Sequence, residues 1–170
     1  MSKGKSMKLT RAVLLVLTSG LLTAVPVMAE LQADLQRLSQ TNRCQQCDLS
    51  EANLAQANLN GADLLGANLQ RANLQGAQLR GADLSSANLI EADLSGANLQ
   101  DAKLHSTTLR QANLSQANLS WADLYNAFLE QATLTETNLS NANLNRAKLA
   151  GANFCGATLP DGSQGNCSTP

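Results

Sequence analysis

Residues 52–61 read ANLAQANLNG, a five-residue unit written twice: Ala, Asn and Leu, followed by two variable residues. The unit continues in both directions. Leu stands at every fifth position from Leu49 to Leu149, and Phe154 and Leu159 extend the series to 23 consecutive centres. Ala stands two residues before nearly every centre, and Asn or Asp usually stands immediately before it. The decisive feature of the sequence is therefore a repeat that dominates the chain.

A period of five residues is not the period of an α-helix or of a β-strand. At 3.6 residues per turn, successive centres of a helix would be displaced around its whole circumference, which leaves no apolar face. In a strand, side chains alternate, so every second Leu would face water. The other residues indicate short extended edges separated by bends, because Asn and Asp favour turns and Gly often follows the centre by two positions.

The run of units from residue 52 onward resembles the pentapeptide-repeat family. That resemblance implies an all-β solenoid, a right-handed quadrilateral β-helix with four units per coil and about six coils. It also implies that Leu fills the axis, that Ala closes the gap beside it, and that the other three positions face water. The departures include Thr107 and Thr137 in place of Ala, and Lys103, Phe128 and Lys148 in place of Asn or Asp.

The first 29 residues have the features of a secretory signal peptide. Four basic residues and no acid are followed by an apolar run that ends near Ala29. The apolar run is interrupted by polar residues and is short for a membrane span, although an uncleaved anchor is the alternative interpretation. Cleavage would leave no stable membrane insertion, and we expect an exported protein of a periplasm or thylakoid lumen.

The charge of the mature chain argues against a nucleic-acid partner. Without residues 1–29, 8 basic and 13 acidic residues remain, a net charge of −5. A nucleic-acid-binding protein is expected to show a basic stripe, and none is evident. Spacing by twenty residues instead predicts columns of alternating charge, such as Glu51, Arg71 and Glu91.

The two ends of the repeat region differ. Residues 30–43 carry Leu31, Leu35 and Leu38 at helical spacing, which predicts a short helix that caps the first coil. The repeat region is predicted over 44–160, followed by a polar tail over 161–170 without an apolar cap. We expect Phe154 and Leu159 to be partly exposed there or covered by a second copy, so the protein is a monomer or a dimer through its C-terminal end.

Four cysteines, Cys44, Cys47, Cys155 and Cys167, are an even number in a chain with export features, which favours disulfides. With four units per coil, as the family resemblance implies, the two pairs lie about five coils apart, roughly 26 Å at strand spacing. On that basis we predict Cys44–Cys47 and Cys155–Cys167 disulfides and no Cys₄ zinc site. Exported members of the family have a similar arrangement of cysteines. A redox role for Cys44 and Cys47 is the alternative.

Aromatic residues are rare, and three of them, Trp121, Tyr125 and Phe128, are predicted to face outward within one coil. Ile90 lies two coils away on the side of Phe128. Large exposed aromatic residues are typical of interfaces, so these four residues are the candidate protein-binding surface. The alternative is that they shield a corner or a neighbouring loop.

We expect no enzymatic activity, no catalytic residues, no cofactor and no metal. His105, the only histidine, shares a column with Ser85 and Tyr125, but a flat wall of short side chains provides no concave site. The sequence therefore predicts a rigid binding or scaffold module for an unidentified protein partner. A DNA-mimicking inhibitor or protector of gyrase, a role of some family members, is the alternative.

Overall fold

Each coil is joined to the next by a repeating set of backbone hydrogen bonds. The N–H of Leu54 donates to the carbonyl of Asn73 at 2.7 Å, and that of Gln56 donates to Gln75 at 2.9 Å. In the opposite direction, the N–H of Asn73 donates to Ala52 at 2.9 Å. Three such bonds per unit hold residues twenty apart in register.

The computed structural model describes residues 25–167. Within that range, parallel bridges connect residues twenty apart, from Arg43 with Asp63 to Asn138 with Thr158. Each bridge is a single residue pair, so no longer strand forms in the described range. The series ends with an antiparallel bridge between Thr158 and Gln164.

The corners lie two residues after each centre, where the backbone enters the left-handed region. Gly61 has a φ of 63° and Gln56 a φ of 59°. Glycine adopts this conformation without a steric cost, whereas other residues pay for it. Because a corner recurs every five residues and a coil contains twenty, the solenoid has four sides.

Asn and Asp precede the centres because their side chains hold the bend. Asn53 accepts a hydrogen bond through Oδ1 from the N–H of Ala55 at 3.2 Å, and most other units repeat this contact. Gln78 departs from the pattern, and there the N–H of Arg80 donates instead to Oδ1 of Asn60 in the preceding coil, at 2.9 Å.

The core is a ladder of Leu centres flanked by Ala. From Leu49 to Leu139 the centres are at most 1% exposed. The two Thr residues at Ala positions are fully buried, and their hydroxyls are satisfied: Thr107 donates to the carbonyl of Leu84 and Thr137 to that of Leu114, both at 2.8 Å.

Helix α1, Val25–Thr41, precedes the solenoid. Leu38 is buried, and Leu31 and Leu35 pack against the core. The helix begins five residues before the expected segment 30–43 and ends two residues before its end, because Asn42 and Arg43 already belong to the first coil. Of the expected signal peptide 1–29, residues 1–24 lie outside the described residues.

The C-terminal end of the solenoid is open. The last four centres, Leu144, Leu149, Phe154 and Leu159, are all half-buried, whereas the first-coil centres are buried. Within residues 25–167, the backbone N–H groups of Leu144, Leu149 and Phe154 meet no acceptor. This end therefore presents both apolar side chains and unpaired donors.

The described part of the chain has one helix, α1, and it does not have the length and apolar character needed to cross a membrane.

We expect Leu94→Ala to lower the free energy of unfolding by about 2–5 kcal/mol, because it leaves a cavity beside a fully buried centre. Leu149→Ala removes the same atoms from the open end and should cost clearly less. Denaturant unfolding of the two variants measures the difference. Equal losses would contradict a core that is closed in the middle and open at the C-terminal end.

Candidate interaction surface

The most exposed aromatic residue lies at a corner of the solenoid. Trp121 is 61% exposed and has a φ of 62°. Neighbouring coils place Gly81 and Asp101 at the same corner. A large apolar side chain there is held in water on a backbone conformation that suits glycine, so the core does not explain it.

Tyr125 follows this corner along the chain, and its side chain is half-buried between His105 and Arg146. Its ring centroid is 4.8 Å from that of His105, and the Arg146 guanidinium lies 5.5 Å from the ring centroid on the other side. His105 Nδ1 is also 3.8 Å from Asp123 Oδ2. These contacts hold the phenol ring against the wall while part of it stays exposed.

Phe128 lies just past the next corner and is also half-buried. The Arg110 guanidinium is 5.2 Å from its ring centroid, and Arg110 Nη2 is 3.1 Å from Glu130 Oε1. Ile90 is half-buried on the same side, two coils toward the N terminus, where the backbone of Glu91 bonds to that of Arg110. We call Trp121, Tyr125, Phe128 and Ile90 the aromatic surface.

The hydrogen bond from Arg110 is the main cause that holds the pKa of Glu130 below its ordinary value of 4.5. The second carboxylate oxygen, Oε2, is buried and has no hydrogen-bond partner within residues 25–167. Arg110 therefore stabilises the ionised form of Glu130 in the folded state.

The sequence prediction located the apolar members of this surface but not the two arginines that hold them. Arg146 and Arg110 are one coil away from the aromatic rings that they contact. The spacing of twenty residues places Arg146 beside Asn126 and Arg110 beside Glu130 in the neighbouring coil, so it brings both arginines near the rings but does not predict the contacts with them. The predicted column of Glu51, Arg71 and Glu91 is formed, with Arg71 at 3.3 Å and 3.5 Å from its two partners. Leu65, 40% exposed in the column of Tyr125, was also missed.

The structure pairs the four cysteines at the two ends, Cys44 with Cys47 and Cys155 with Cys167. Cys44, fully buried, stands where a Leu centre would stand, five residues before Leu49. Cys47 takes the Ala position of the following unit and is 3% exposed. The first disulfide is thus part of the core of the first coil.

The repeat recurs in known proteins. The sequence model of the family described as Pentapeptide repeats matches in eight copies, over residues 47–85, 77–116, 112–149 and 137–161. The chain is a pentapeptide-repeat protein. Proteins of this family fold as right-handed quadrilateral β-helices, and the chain shares that fold.

Similar solved structures come from cyanobacteria and a plant. HetL of Nostoc sp. strain PCC 7120, involved in the regulation of heterocyst differentiation, is 39% identical with a TM-score of 0.54, over 72% of this chain and 61% of HetL. Rfr23 of Cyanothece 51142 is 32% identical with a TM-score of 0.58, over 72% of this chain and 93% of Rfr23.

A pentapeptide-repeat protein of the Arabidopsis thaliana thylakoid lumen is 32% identical with a TM-score of 0.20, over 67% of this chain and 66% of that protein. Among curated proteins, none matches the sequence. The chain spans less than two thirds of the length of HetL.

The lowered pKa of Glu130 predicts a pH-dependent contribution to stability. A carboxylate with a depressed pKa in the folded state stabilises the fold above its unfolded pKa, and the contribution is lost as the pH falls through the folded pKa. Wild type should therefore have a higher denaturant midpoint than Glu130→Gln near neutral pH, and the difference should shrink as the pH falls below the ordinary pKa and disappear below the folded pKa. In an Arg110→Gln background the difference should be small at every pH. A difference that does not change with pH would contradict the role of Arg110.

Proposed function

We propose that this pentapeptide-repeat protein is a non-enzymatic, rigid binding or scaffold module in an exported compartment, a periplasm or a thylakoid lumen. Its working part is a solenoid of about six coils, capped at the N-terminal end by α1. The aromatic surface holds a protein partner.

Trp121 is the observation that carries this proposal. The exposed indole gains no burial in the core, and the left-handed backbone of Trp121 adds a steric cost. Glycine occupies the same corner in other coils, where it avoids that steric cost. A residue that the fold does not require is best explained by a contact outside the chain. Interfaces are enriched in Trp, Tyr and Arg at their energetic centres.

The arginines behind the aromatic rings support a preformed surface. Arg146 and Arg110 each lie over one ring and restrict its movement. A partner that binds rings already held in place loses less side-chain entropy than one that must order them.

One feature of the sequence and one of the structure support an exported compartment. The segment 1–29 has the basic start, apolar run and small residue of a signal peptide. The pairing of all four cysteines suits an oxidising environment.

The described walls support a non-enzymatic role. Most outward positions carry short polar side chains, and the depression beside Asn141, Leu144 and Pro160 opens to solvent at the end of the rod. His105 is half exposed and lies 3.8 Å from its carboxylate, on a flat side. Catalysis needs a site that excludes water and positions a substrate.

The alternative of a DNA-mimicking gyrase inhibitor is less well supported. Such a surface would need rows of unbalanced carboxylates. Here Arg71 stands between Glu51 and Glu91, and Lys103 is 3.5 Å from Asp83. The acidic columns are interrupted by cations.

We expect Trp121→Gly to abolish binding while the fold stays as stable as wild type or becomes more stable by up to about 1 kcal/mol, because Gly relieves the left-handed corner. Affinity capture with oxidised protein from an extract of its own exported compartment, compared between the variant and wild type, measures binding. Thermal unfolding measures stability.

Gln116→Gly is the matched control, since Gln116 occupies another corner of the same coil with a φ of 60°. It should change stability in the same direction and leave capture unchanged. Equal capture by wild type and Trp121→Gly would exclude Trp121 from the binding surface. A loss of capture in both variants would show that corner geometry, and not the indole, is responsible.

We further propose that a second copy covers the open C-terminal end. The half-buried centres and unpaired N–H groups of this end are the features that promote edge-to-edge association of β-structure. Light scattering over a range of concentrations should detect a dimer, and Leu149→Asp should return it to a monomer. A wild-type protein that stays monomeric at high concentration would exclude this dimer.

A further inference from the structure

Helix α1 brings a buried carboxylate to the first disulfide. Asp34 is 7% exposed, and Cys44 and Cys47 are 0% and 3% exposed. One ligand atom from each of these three residues lies within 4.8 Å of the other two. Soft sulfur and hard oxygen donors are thus collected in one buried place, at the contact between the helix and the first coil.

The contacts show which groups are already occupied. Asp34 Oδ2 accepts a hydrogen bond from the N–H of Asp48 at 3.0 Å. The other oxygen, Oδ1, is 3.6 Å from Arg37 Nη2, which is an ion-pair distance and too long for a good hydrogen bond. Asp34 therefore binds the first coil through Oδ2, and the lone pairs of Oδ1 are available to a metal ion.

Each of the two cysteine sulfurs also has a polar neighbour. Arg37 Nη1 lies 3.6 Å from Cys47 Sγ, so a thiolate on Cys47 would be stabilised by the guanidinium. Cys44 Sγ lies 3.3 Å from the backbone carbonyl of Asp34, which could accept a hydrogen bond from the Cys44 thiol. Both sulfurs have polar neighbours that suit the reduced state as well as the disulfide.

We propose that Cys44, Cys47 and Asp34 form a zinc site when the Cys44–Cys47 disulfide is reduced. A dithiol reductant breaks the S–S bond, supplies two electrons and two protons to the cysteine sulfurs, and is itself oxidised to a disulfide. Zn²⁺ then binds the two sulfurs as thiolates and displaces two protons to solvent, while a carboxylate oxygen of Asp34 is the third ligand.

The chemistry of the donors selects zinc over calcium and magnesium. Thiolates are soft ligands, and the hard cations prefer oxygen. Two cysteines separated by two residues are a common half of a tetrahedral zinc site. The Cα atoms of Cys44 and Cys47 are 5.3 Å apart, so both sulfurs can reach one ion. Water would complete the tetrahedron, as in zinc sites with three protein ligands.

The charges of the site also balance. Two thiolates and the Asp34 carboxylate carry three negative charges, and Zn²⁺ with the Arg37 guanidinium carries three positive charges. The three buried anions would thus be balanced by the ion and by the partly exposed Arg37 side chain, which avoids the cost of an unpaired charge in a poorly solvated place. The zinc ion would replace the disulfide as the cross-link of the first coil, and through Asp34 it would also tie α1 to that coil.

The second disulfide provides a natural comparison. Cys155 and Cys167 lie at the opposite end, and within residues 25–167 the group at Cys44 is the only cluster of three potential metal ligands. Reduction of both disulfides therefore creates one predicted zinc site and one pair of thiols without a neighbouring carboxylate.

The test uses Co²⁺ as a spectroscopic probe, followed by Zn²⁺. Reduced Cys155→Ser/Cys167→Ser protein, freed of reductant without oxygen, should bind one Co²⁺ with thiolate charge-transfer absorption and the visible bands of a tetrahedral ion. One equivalent of Zn²⁺ should remove these bands. Reduced Cys44→Ser/Cys47→Ser protein should show none, and the oxidised protein should show none.

Asp34→Asn separates the metal site from a general effect of reduction, because the amide oxygen can still accept the hydrogen bond from Asp48. We expect it to weaken zinc binding about tenfold or more, the scale on which even outer-shell changes act. Circular dichroism verifies that each variant is folded. Equal cobalt spectra in the two double variants, no spectrum in the reduced Cys155→Ser/Cys167→Ser protein, or unchanged affinity in Asp34→Asn would each overturn the proposal.

Discussion

The hydrogen bond from the N–H of each centre between Cys44 and Leu139 to the carbonyl nineteen residues ahead is the contact on which the rest of the structure depends. It fixes the register of twenty residues, and this register stacks Leu on Leu, Ala on Ala and corner on corner. A slip by one residue would place an Asn or Asp in the axis, where its polar side chain would lack partners. The repeated sequence and the repeated bond therefore specify each other.

The same register explains why the outward positions tolerate many different side chains. Stability comes from stacking between coils, so no single outward side chain is required for the fold. Polar residues there form modest ladders, such as the contact of Asn68 Nδ2 with Asp48 Oδ1 at 2.9 Å. Where an outward residue is costly, as Trp121 is, the cost points to a role outside the fold. The two ends of the solenoid also differ from its middle, because each terminal coil has a neighbouring coil on one side only.

Much of the architecture could be predicted from the sequence, because a period of five in Leu is incompatible with ordinary helices and strands. The unit follows from that period, whereas the four-sided fold and the outward placement of Trp121 were implied by the resemblance of the unit to the pentapeptide-repeat family. The sequence did not identify Cys44 as a centre, since cysteine replaces Leu in a unit that has Asn42 at the Ala position and Arg43 at the Asn or Asp position. The start of α1 at Val25 was also missed, because the apolar residues before Glu30 resemble the end of a signal peptide.

The contacts of single side chains could not be predicted for a different reason. Arg146 could have pointed to several neighbours around its corner, and only the structure shows that it lies over Tyr125. In the same way, spacing alone places Asp34 on a helix but does not show that its carboxylate reaches the N–H of Asp48 and the first disulfide. The contacts of Asp34 depend on how α1 packs on the first coil, which the repeat does not encode.

The central claim is the register, and scalar couplings across hydrogen bonds measured by NMR test it most directly. In isotope-labelled protein, the amide nitrogen of Leu94 should couple to the carbonyl carbon of Asn113, and that of Leu99 to Asn118, since both bonds are 2.7 Å long. Couplings to these two carbonyls would establish coils of twenty residues. Couplings from the same nitrogens to carbonyls at any other separation would contradict the account.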